Sequence, residues 1–458
     1  MISIADSRIL DANSEALGIP VSKLMDNAGR SVSNYLIENY PSKRITFVCG
    51  TGNNGGDGFA AALNLPPEST KVVLLKKASS IHSEISRERY SLLECNIELF
   101  DDLSFDDCDI IVDCILGTGM TGAVSEPYRS CIELINKSRK HVISVDVPSG
   151  LNTDCAVKPE ATITFHDIKE GMSESNCGRI VICDIGIPKE ASSLVGPGDL
   201  IRYPVPKSNS HKGQNGKLMI IGGGPYFGAP VMSGLSALRI GTDCVRIFTP
   251  ESVSNIVSTY SPVFMVTKLE GDTLSTKHVD WLLEESKNFD AVLIGPGLGN
   301  SDCTMSAIRQ FIEKCDRPLI VDADAIAATK DIHFNTPCTI TPHRREFNRI
   351  SNNESIEYVS SSMNSTILLK GNEDIISDGK RTRKNTTGTA AMTGAGTGDV
   401  LSGAVAGLVS KGMDPFDAAC LGAYICGKAG EIAFESKSYG LIATDVIDNI
   451  PTVLKMMI

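Results

Sequence analysis

Thr393-Gly394-Ala395-Gly396-Thr397-Gly398-Asp399-Val400-Leu401 reads as a small-residue turn that feeds a helix. The apolar spacing of Val400, Leu401, Val405, Leu408 and Val409 predicts a helix from about Asp399, stopped by Gly412 and Pro415. Glycines ahead of a helix let backbone N–H groups converge, and the helix N-terminus adds partial positive charge. The Gly396–Gly398 amides therefore suit a phosphate or a developing anion. A carboxylate at the mouth of such a hole opposes its field, so Asp399 makes a poor phosphate ligand. We read it as a base for a hydroxyl held beside the phosphate, in preference to a plain helix cap.

Around that stretch the chain runs to 458 residues, too long for one compact core, so two domains are expected. With 42% hydrophobic and 21% charged residues it has ordinary globular composition. Neither a transmembrane run nor a signal peptide is legible, and a cytoplasmic location is expected. The net charge of −12 argues against a nucleic-acid partner. Anionic ligands would then be held by glycine loops and helix ends. The 14 cysteines lack zinc spacing, and many lie within apolar runs, as buried thiols do.

The first half alternates strands and helices. Two helices, split at Pro20-Val21, precede a strand at 44–49 and the run Gly50-Thr51-Gly52-Asn53-Asn54-Gly55-Gly56-Asp57-Gly58, with a helix expected from Phe59. Strand, glycine loop and helix form a phosphate-cradling geometry, although the spacing is neither GxGxxG nor a P-loop. Further strands end at Asp113 and Asp146, and a helix is expected over 81–95. The alternation predicts an αβα sandwich on a mostly parallel sheet, with Asn54, Asp113, Asp146 and Ser149 along its carboxyl edge. A Pro-rich stretch over 186–216 sets the boundary, so the domains are expected at 1–203 and 204–458.

In the second half six strands, near 217–221, 244–248, 291–294, 319–321, 339–341 and 366–369, each lead into Gly, Asp, His or Lys. Gly222–Gly224 and Gly295–Gly299 would let backbone approach a ligand, and Lys370 would offer a point charge to a phosphate. His343 reads as a ligand contact or as a capping imidazole. Asp322 and Asp324 read as holding Mg²⁺ through water or as a structural turn.

The stretches Leu24–Arg30, Gly52–Gly58, Val112–Gly119, Val145–Leu151 and Phe165–Lys169 make the first half resemble the NAD(P)H-hydrate epimerases. That resemblance implies a Rossmann-like domain in which Asn53, Asn54, Gly55, Gly56 and Asp57 contact a hydrated dinucleotide. Gly117, Thr118, Gly119, Met120, Thr121, Gly122 and Ala123 are implied as a second contact loop. It further implies K⁺ held by Asn54, Asp113 and Ser149, with Asp146 binding substrate and serving as the acid/base. Met120–Val124 and Glu170 depart from the usual pattern.

From His211 onward the chain resembles the ribokinase-like NAD(P)H-hydrate dehydratases, through Gly295–Gly299, Asp322–Ala325, Thr341–His343, Leu369–Gly371 and Gly396–Leu401. The resemblance implies that Ala229, Gly299, His343 and Asp399 contact the hydrate. Lys370, Gly371, Asn372, Glu373, Asp374 and Gly398 would hold an adenine nucleotide, ADP in prokaryotic members. Arg344-Arg345 and Thr389-Ala390 replace the usual residues. The expected activity is repair of hydrated NADH and NADPH, with ADP as co-substrate, Mg²⁺ in the second domain and a homo-oligomeric state. The alternative is a ribokinase-like small-molecule kinase, of the vitamin-precursor type, fused to a non-catalytic dinucleotide-binding module.

Overall fold

The structure is a computed structural model that describes residues 1–100, 104–119 and 122–457. It divides into two compact units, Met1–Ala191 and Ser192–Ile458. The break falls earlier than the 203/204 expected from proline content. Val195 and Leu200 are buried in the second unit's core, and Arg383 ion-pairs with the buried Asp199. Burial of this segment outweighs its linker-like composition.

In the first unit the strands are β1 (Ile45–Cys49), β2 (Thr70–Leu74), β3 (Asn96–Leu99), β4 (Ile110–Cys114), β5 (His141–Val145), β6 (Ala161–Phe165) and β7 (Arg179–Cys183). They form one parallel sheet in the order β3-β2-β1-β4-β5-β6-β7. The strand order reverses between β1 and β4, which opens a crevice at their carboxyl ends. The helices are α1 (Ile4–Ala16), α2 (Val21–Asn39), α3 (Asn53–Ala62), α4 (Glu84–Ser91), α5 (Tyr128–Lys137) and the single turn α6 (Glu174–Cys177), with α7 (Lys189–Ser193) running over the break into the second unit.

Two local expectations change. Helix α4 is shorter than the 81–95 read from sequence, and the half-exposed edge strand β3 was not legible. Helix α3 begins at Asn53, so the glycines expected in a loop form its first turns. A Cβ on Gly55 would overlap the Gly50 carbonyl, and one on Gly58 would crowd Cys49 and Cys114. Close approach of α3 to the sheet outweighs the low helix propensity of glycine, which costs about 1 kcal/mol per residue.

The second unit carries β8 (Lys217–Ile221), β9 (Cys244–Pro250), β10 (Met265–Leu269), β11 (Ala291–Ile294), β12 (Leu319–Val321), β13 (Cys338–Ile340), β14 (Thr366–Leu369), β15 (Asp374–Ser377) and β16 (Thr382–Asn385). Their order is β10-β9-β8-β11-β12-β13-β14-β15-β16. All pair in parallel except the β14-β15-β16 edge, which is antiparallel. The helices are α8 (Gly228–Arg239), α9 (Glu251–Thr259), α10 (Val279–Ser286), α11 (Asp302–Lys314), α12 (Arg344–Ile350), α13 (Ile356–Met363), α14 (Thr397–Ser410), α15 (Pro415–Lys437) and α16 (Ala443–Leu454). The six strands read from sequence are present. Strand β10 has a largely unburied face and the β15–β16 hairpin is polar, so neither shows the apolar run that marks a buried strand.

Helix α14 is buried from Val400 to Ser410 against the sheet and α8. Its Gly403 lies where a Cβ would overlap the Ser233 carbonyl of α8. Gly403→Ala should therefore destabilise the protein by about 1–3 kcal/mol, through overpacking. Urea unfolding of the full chain followed by circular dichroism checks this.

Candidate active sites

The first unit holds a cleft of about 470 Å³ at the β1/β4 crevice. Asn53, Asn54 and Asp57 reach it from α3, and Gly117, Thr118 and Gly119 from the loop after β4. Asp146 reaches it from the end of β5, where its backbone is left-handed (φ 64°). Such a conformation is uncommon outside glycine, least so for Asp and Asn, and gathers at functional sites. Gly55 and Gly56 do not line the cleft but pack inside α3. Gly122 and Ala123 are also absent from the lining, and Met120 and Thr121 lie outside the described residues.

Lys169 is buried to 2% and ion-pairs with Asp146. Its Nζ also donates to Thr164 Oγ1 at 2.9 Å and to the Phe165 carbonyl at 2.6 Å. Asp11 of α1 lines the same cleft. Burial first, then the facing Asp146 charge, raises its pKa to about 6, with Lys169 opposing. Asp57 is pushed well above the usual carboxylate range by burial, then by Asp146 and Asp11. Sequence reading passed over Asp11, which sits mid-helix with no glycine loop beside it. Lys169 entered only as part of a motif.

Behind the cleft, Asp113 is fully buried. It accepts from Ser149 N at 2.9 Å, Ser149 Oγ at 2.5 Å, Ser144 Oγ at 2.8 Å and Ile115 N at 3.3 Å. Burial still raises its pKa against those donors. Asn54 is 7% exposed, and neither atom of its amide has a hydrogen-bond partner among the described residues.

In the second unit the order reverses between β8 and β11, and the loops Gly222–Gly224 and Gly295–Gly299 meet there. Gly223 N–H donates to the Pro296 carbonyl at 2.8 Å. A Cβ on Gly297 would overlap the Tyr226 carbonyl and stand 3.3 Å from Ala229 Cβ at the start of α8. Gly299 N–H donates to Asp324 Oδ2 at 2.8 Å.

Further along the edge stand the residues around α14. Gly396 caps that helix with φ 93°, and the cap has no side-chain hydrogen bond. The expected start near Asp399 moves to Thr397, placing Asp399 in the first turn. Lys370, at the end of β14, brings its Nζ to 3.4 Å from where a Gly398 Cβ would stand. The same Nζ donates to Asp322 Oδ1 at 2.9 Å, and Thr341 Oγ1 donates to that oxygen at 2.7 Å. Burial first, then Asp322, raises the Asp399 pKa to about 7, with Lys370 opposing and Asp324 adding. Lys370 is itself raised, because Asp322, Glu346 and Asp399 together outweigh its burial.

Asp322 and Asp324, read from sequence as Mg²⁺ holders or a turn, thus have protein partners. His343 Nδ1 caps α12, accepting from Arg345 N at 3.1 Å and Glu346 N at 3.2 Å. This is the capping alternative, and it leaves Nε2 3.4 Å from Glu346 Oε1. Among the residues expected at the nucleotide, Gly371 N–H donates to Asp374 at 3.1 Å and Glu373 pairs with Lys384 at 2.7 Å. Asn372 is exposed, and Asp374 braces the hairpin through Asn385 at 3.0 Å.

Comparisons with known proteins agree with this division. Residues 218–452 match the family model described as NAD(P)H-hydrate dehydratase, and residues 21–171 the one described as YjeF-related protein N-terminus. The bifunctional NAD(P)H-hydrate repair enzyme of Methanothermobacter thermautotrophicus is 39% identical, over 98% of this chain and 94% of that protein. The corresponding enzyme of Methanocaldococcus jannaschii is 37% identical, over 100% of this chain and 94% of its own. Among solved structures, the ADP/ATP-dependent NAD(P)H-hydrate dehydratase of Bacillus subtilis, co-crystallised with ATP and Mg²⁺, superposes with a TM-score of 0.50 at 25% identity. It covers 58% of this chain and 98% of its own. A ribokinase-like protein of Enterococcus faecalis superposes with a TM-score of 0.51 at 24% identity, over 57% of this chain and 95% of its own. No described helix is long and apolar enough to cross a membrane. With identity sustained across both units and both sheet architectures in place, the chain belongs to the family of bifunctional NAD(P)H-hydrate repair enzymes.

Proposed function

We propose that the first unit interconverts the R and S hydrates of NADH and NADPH, and that the second converts the S hydrate back to the reduced dinucleotide with ADP. The observation that carries this reading is Asp399, raised to about 7 in the first turn of α14, with Lys370 beside Gly398. A carboxylate of that basicity suits general-base work near neutral pH. Asp399 takes the hydroxyl proton as the oxygen attacks the terminal phosphorus of ADP, and AMP leaves. The Gly396–Gly398 amides and Lys370 stabilise charge on the transferring group. Loss of phosphate from the ring carbon, with a proton from the neighbouring carbon, restores the double bond. Ala229, Gly299 and His343 line the hydrate side, and Gly371–Asp374 the nucleotide side. Mg²⁺ would enter on the nucleotide phosphates, which is its usual mode of binding.

In the first unit Asp146 is the acid/base, and Asn53, Asn54, Asp57 and Gly117–Gly119 hold the dinucleotide. The partnerless Asn54 amide supports K⁺ held by Asn54, Asp113 and Ser149, since buried polar atoms are rarely left without a partner. When bound, the cation supplies positive charge beside the buried Asp113 and the anionic substrate. Replacing K⁺ by choline should lower both epimerisation and the unfolding midpoint of the full chain. At one hundred times its Kd, K⁺ would contribute about 2.7 kcal/mol. Asn54→Leu should abolish both responses.

The overall test supplies mixed R and S hydrates with ADP, ATP or neither, and follows the reduced-nicotinamide absorbance. Full nucleotide-dependent recovery is expected. Recovery that stops with R hydrate left over would remove the first unit's assignment, and no recovery would remove the second's.

A further inference from the structure

Resting on that reading, the first unit's cleft offers more proton-carrying groups than one acid/base needs. Asp11 from α1, Asp57 from α3 and Asp146 from the end of β5 all line it, as does Lys169. Their surroundings differ sharply. Asp146 is ion-paired to Lys169. Neither Asp11 nor Asp57 takes a hydrogen bond or an ion pair from any described residue, although each is only partly exposed. The buried carboxylates elsewhere, Asp113, Asp199 and Asp322, all have donors. Unpartnered carboxyls beside a cavity are costly to keep ionised and cheap to keep protonated. The partnerless Asn54 amide, 7% exposed and lining the same cleft, independently marks this wall as built for a ligand.

The chemistry calls for two carriers. Hydration of the ring's enamine double bond puts the hydroxyl on the carbon attached to the ring nitrogen, so the hydrate is a hemiaminal. We propose that Asp11, backed by Asp57, is the proton donor that acts opposite Asp146 in inverting that carbon. Asp146 takes the hydroxyl proton while the carbon–nitrogen bond breaks and a carbonyl forms. Asp11 gives its proton to the departing ring nitrogen. The opened aldehyde rotates, and the nitrogen attacks its other face. That nitrogen returns its proton to Asp11, and Asp146 returns the other to oxygen. No atom or electron is gained or lost.

The charged and titratable groups that line the cleft with Asp11 are Arg8 on its own helix, Asp57, Tyr128, Asp146, His166 and Lys169. The effect of the carboxylates and of burial prevails over Lys169, raising Asp11 to about 6 and Asp57 well above its usual range. The Asp11 carboxyl therefore keeps its proton further up the pH scale than an ordinary carboxylate does. An acid must hold its proton to act, so kcat/KM for epimerisation falls as pH rises through loss of that proton.

The test uses the full chain and pure R hydrate without nucleotide, with R and S separated by chromatography. Asp11→Asn should lower kcat for epimerisation by about 100-fold with little change in KM, and should remove the alkaline limb of the pH profile. Asp11→Glu should restore part of the rate. Nucleotide-driven dehydration of pure S hydrate, the second unit's activity, should be unchanged in both variants, and the partial rescue by Asp11→Glu reports that the first unit has folded. Wild-type epimerisation in Asp11→Asn, a loss confined to KM, or a persisting alkaline limb would each overturn this inference alone. A wild-type chain inert towards R hydrate would overturn the assigned function of the first unit, and this inference with it.

Discussion

Asp399→Asn should abolish recovery of reduced nucleotide from S hydrate, lowering kcat by about 10²–10⁴-fold, the usual contribution of a positioned base. Asparagine keeps the shape of the side chain and loses the proton acceptor, so the Kd for ADP should change little. Epimerisation of R hydrate belongs to the other unit and should be untouched. The wild-type rate should rise with pH through about 7, because a base acts only when ionised and burial holds Asp399 protonated to that point. Stability should move the opposite way. The folded-state pKa lies above the unfolded value, so folding stability falls as pH rises from the ordinary carboxylate range towards 7. Above that range Asp399→Asn should therefore stabilise the chain, by on the order of 2–4 kcal/mol at pH 8. An inactive variant with a raised Tm at pH 8, and little change at pH 4, is the joint outcome to look for. Wild-type turnover in Asp399→Asn would remove the base assignment.

Lys169→Met should have the second large effect. Lys169 is buried to 2%, and its ammonium serves Asp146, Thr164 Oγ1 and the Phe165 carbonyl at once. Removing one partner of such a pair leaves the other charge uncompensated, at a cost of about 3–5 kcal/mol. Epimerisation should be lost as well, because Asp146 loses the contact that fixes it at the cleft floor. Adding Asp146→Asn should recover part of the stability without restoring activity, and this double-mutant cycle isolates the pair from other effects. If Lys169→Met unfolds at the wild-type urea midpoint, the pair does not contribute as described.

The contrast between the two sites also bears on how each carboxylate is held. Asp399 is raised because a buried carboxylate faces Asp322 and Asp324 with Lys370 as the opposing charge. Asp322 keeps Lys370 at 2.9 Å, so the ammonium lies beside Gly398 while being charge-matched from below. A lysine fixed in this way holds its orientation through protein contacts alone.

Much of this was legible in the residues themselves. Period-two and continuous apolar runs, each closed by Gly, Asp or Lys, specify buried parallel strands and their carboxyl edges, because a strand covered on both faces must be apolar throughout. The turn at Gly394–Gly398 and the helix after it follow from local chemistry alone, and so does Asp399 at its mouth. The polar β15–β16 hairpin and the edge strands β3 and β10 were not legible, since an edge strand needs no apolar run to form. Nor was the helical state of Asn53–Gly58, where close packing on Gly50, Cys49 and Cys114 reverses what glycine prefers locally. The decisive differences at the sites are long-range. Asp11 meets Asp57 and Asp146, Lys169 closes back on Asp146, and Asp322 takes Lys370 across the sheet edge. Sequence determined which chemical groups this chain carries and in which order along the strands. Only the tertiary structure decided which carboxylates gain a cation and which are left without a donor among the described residues, because burial and neighbouring charge belong to places in the fold and not to positions in the chain.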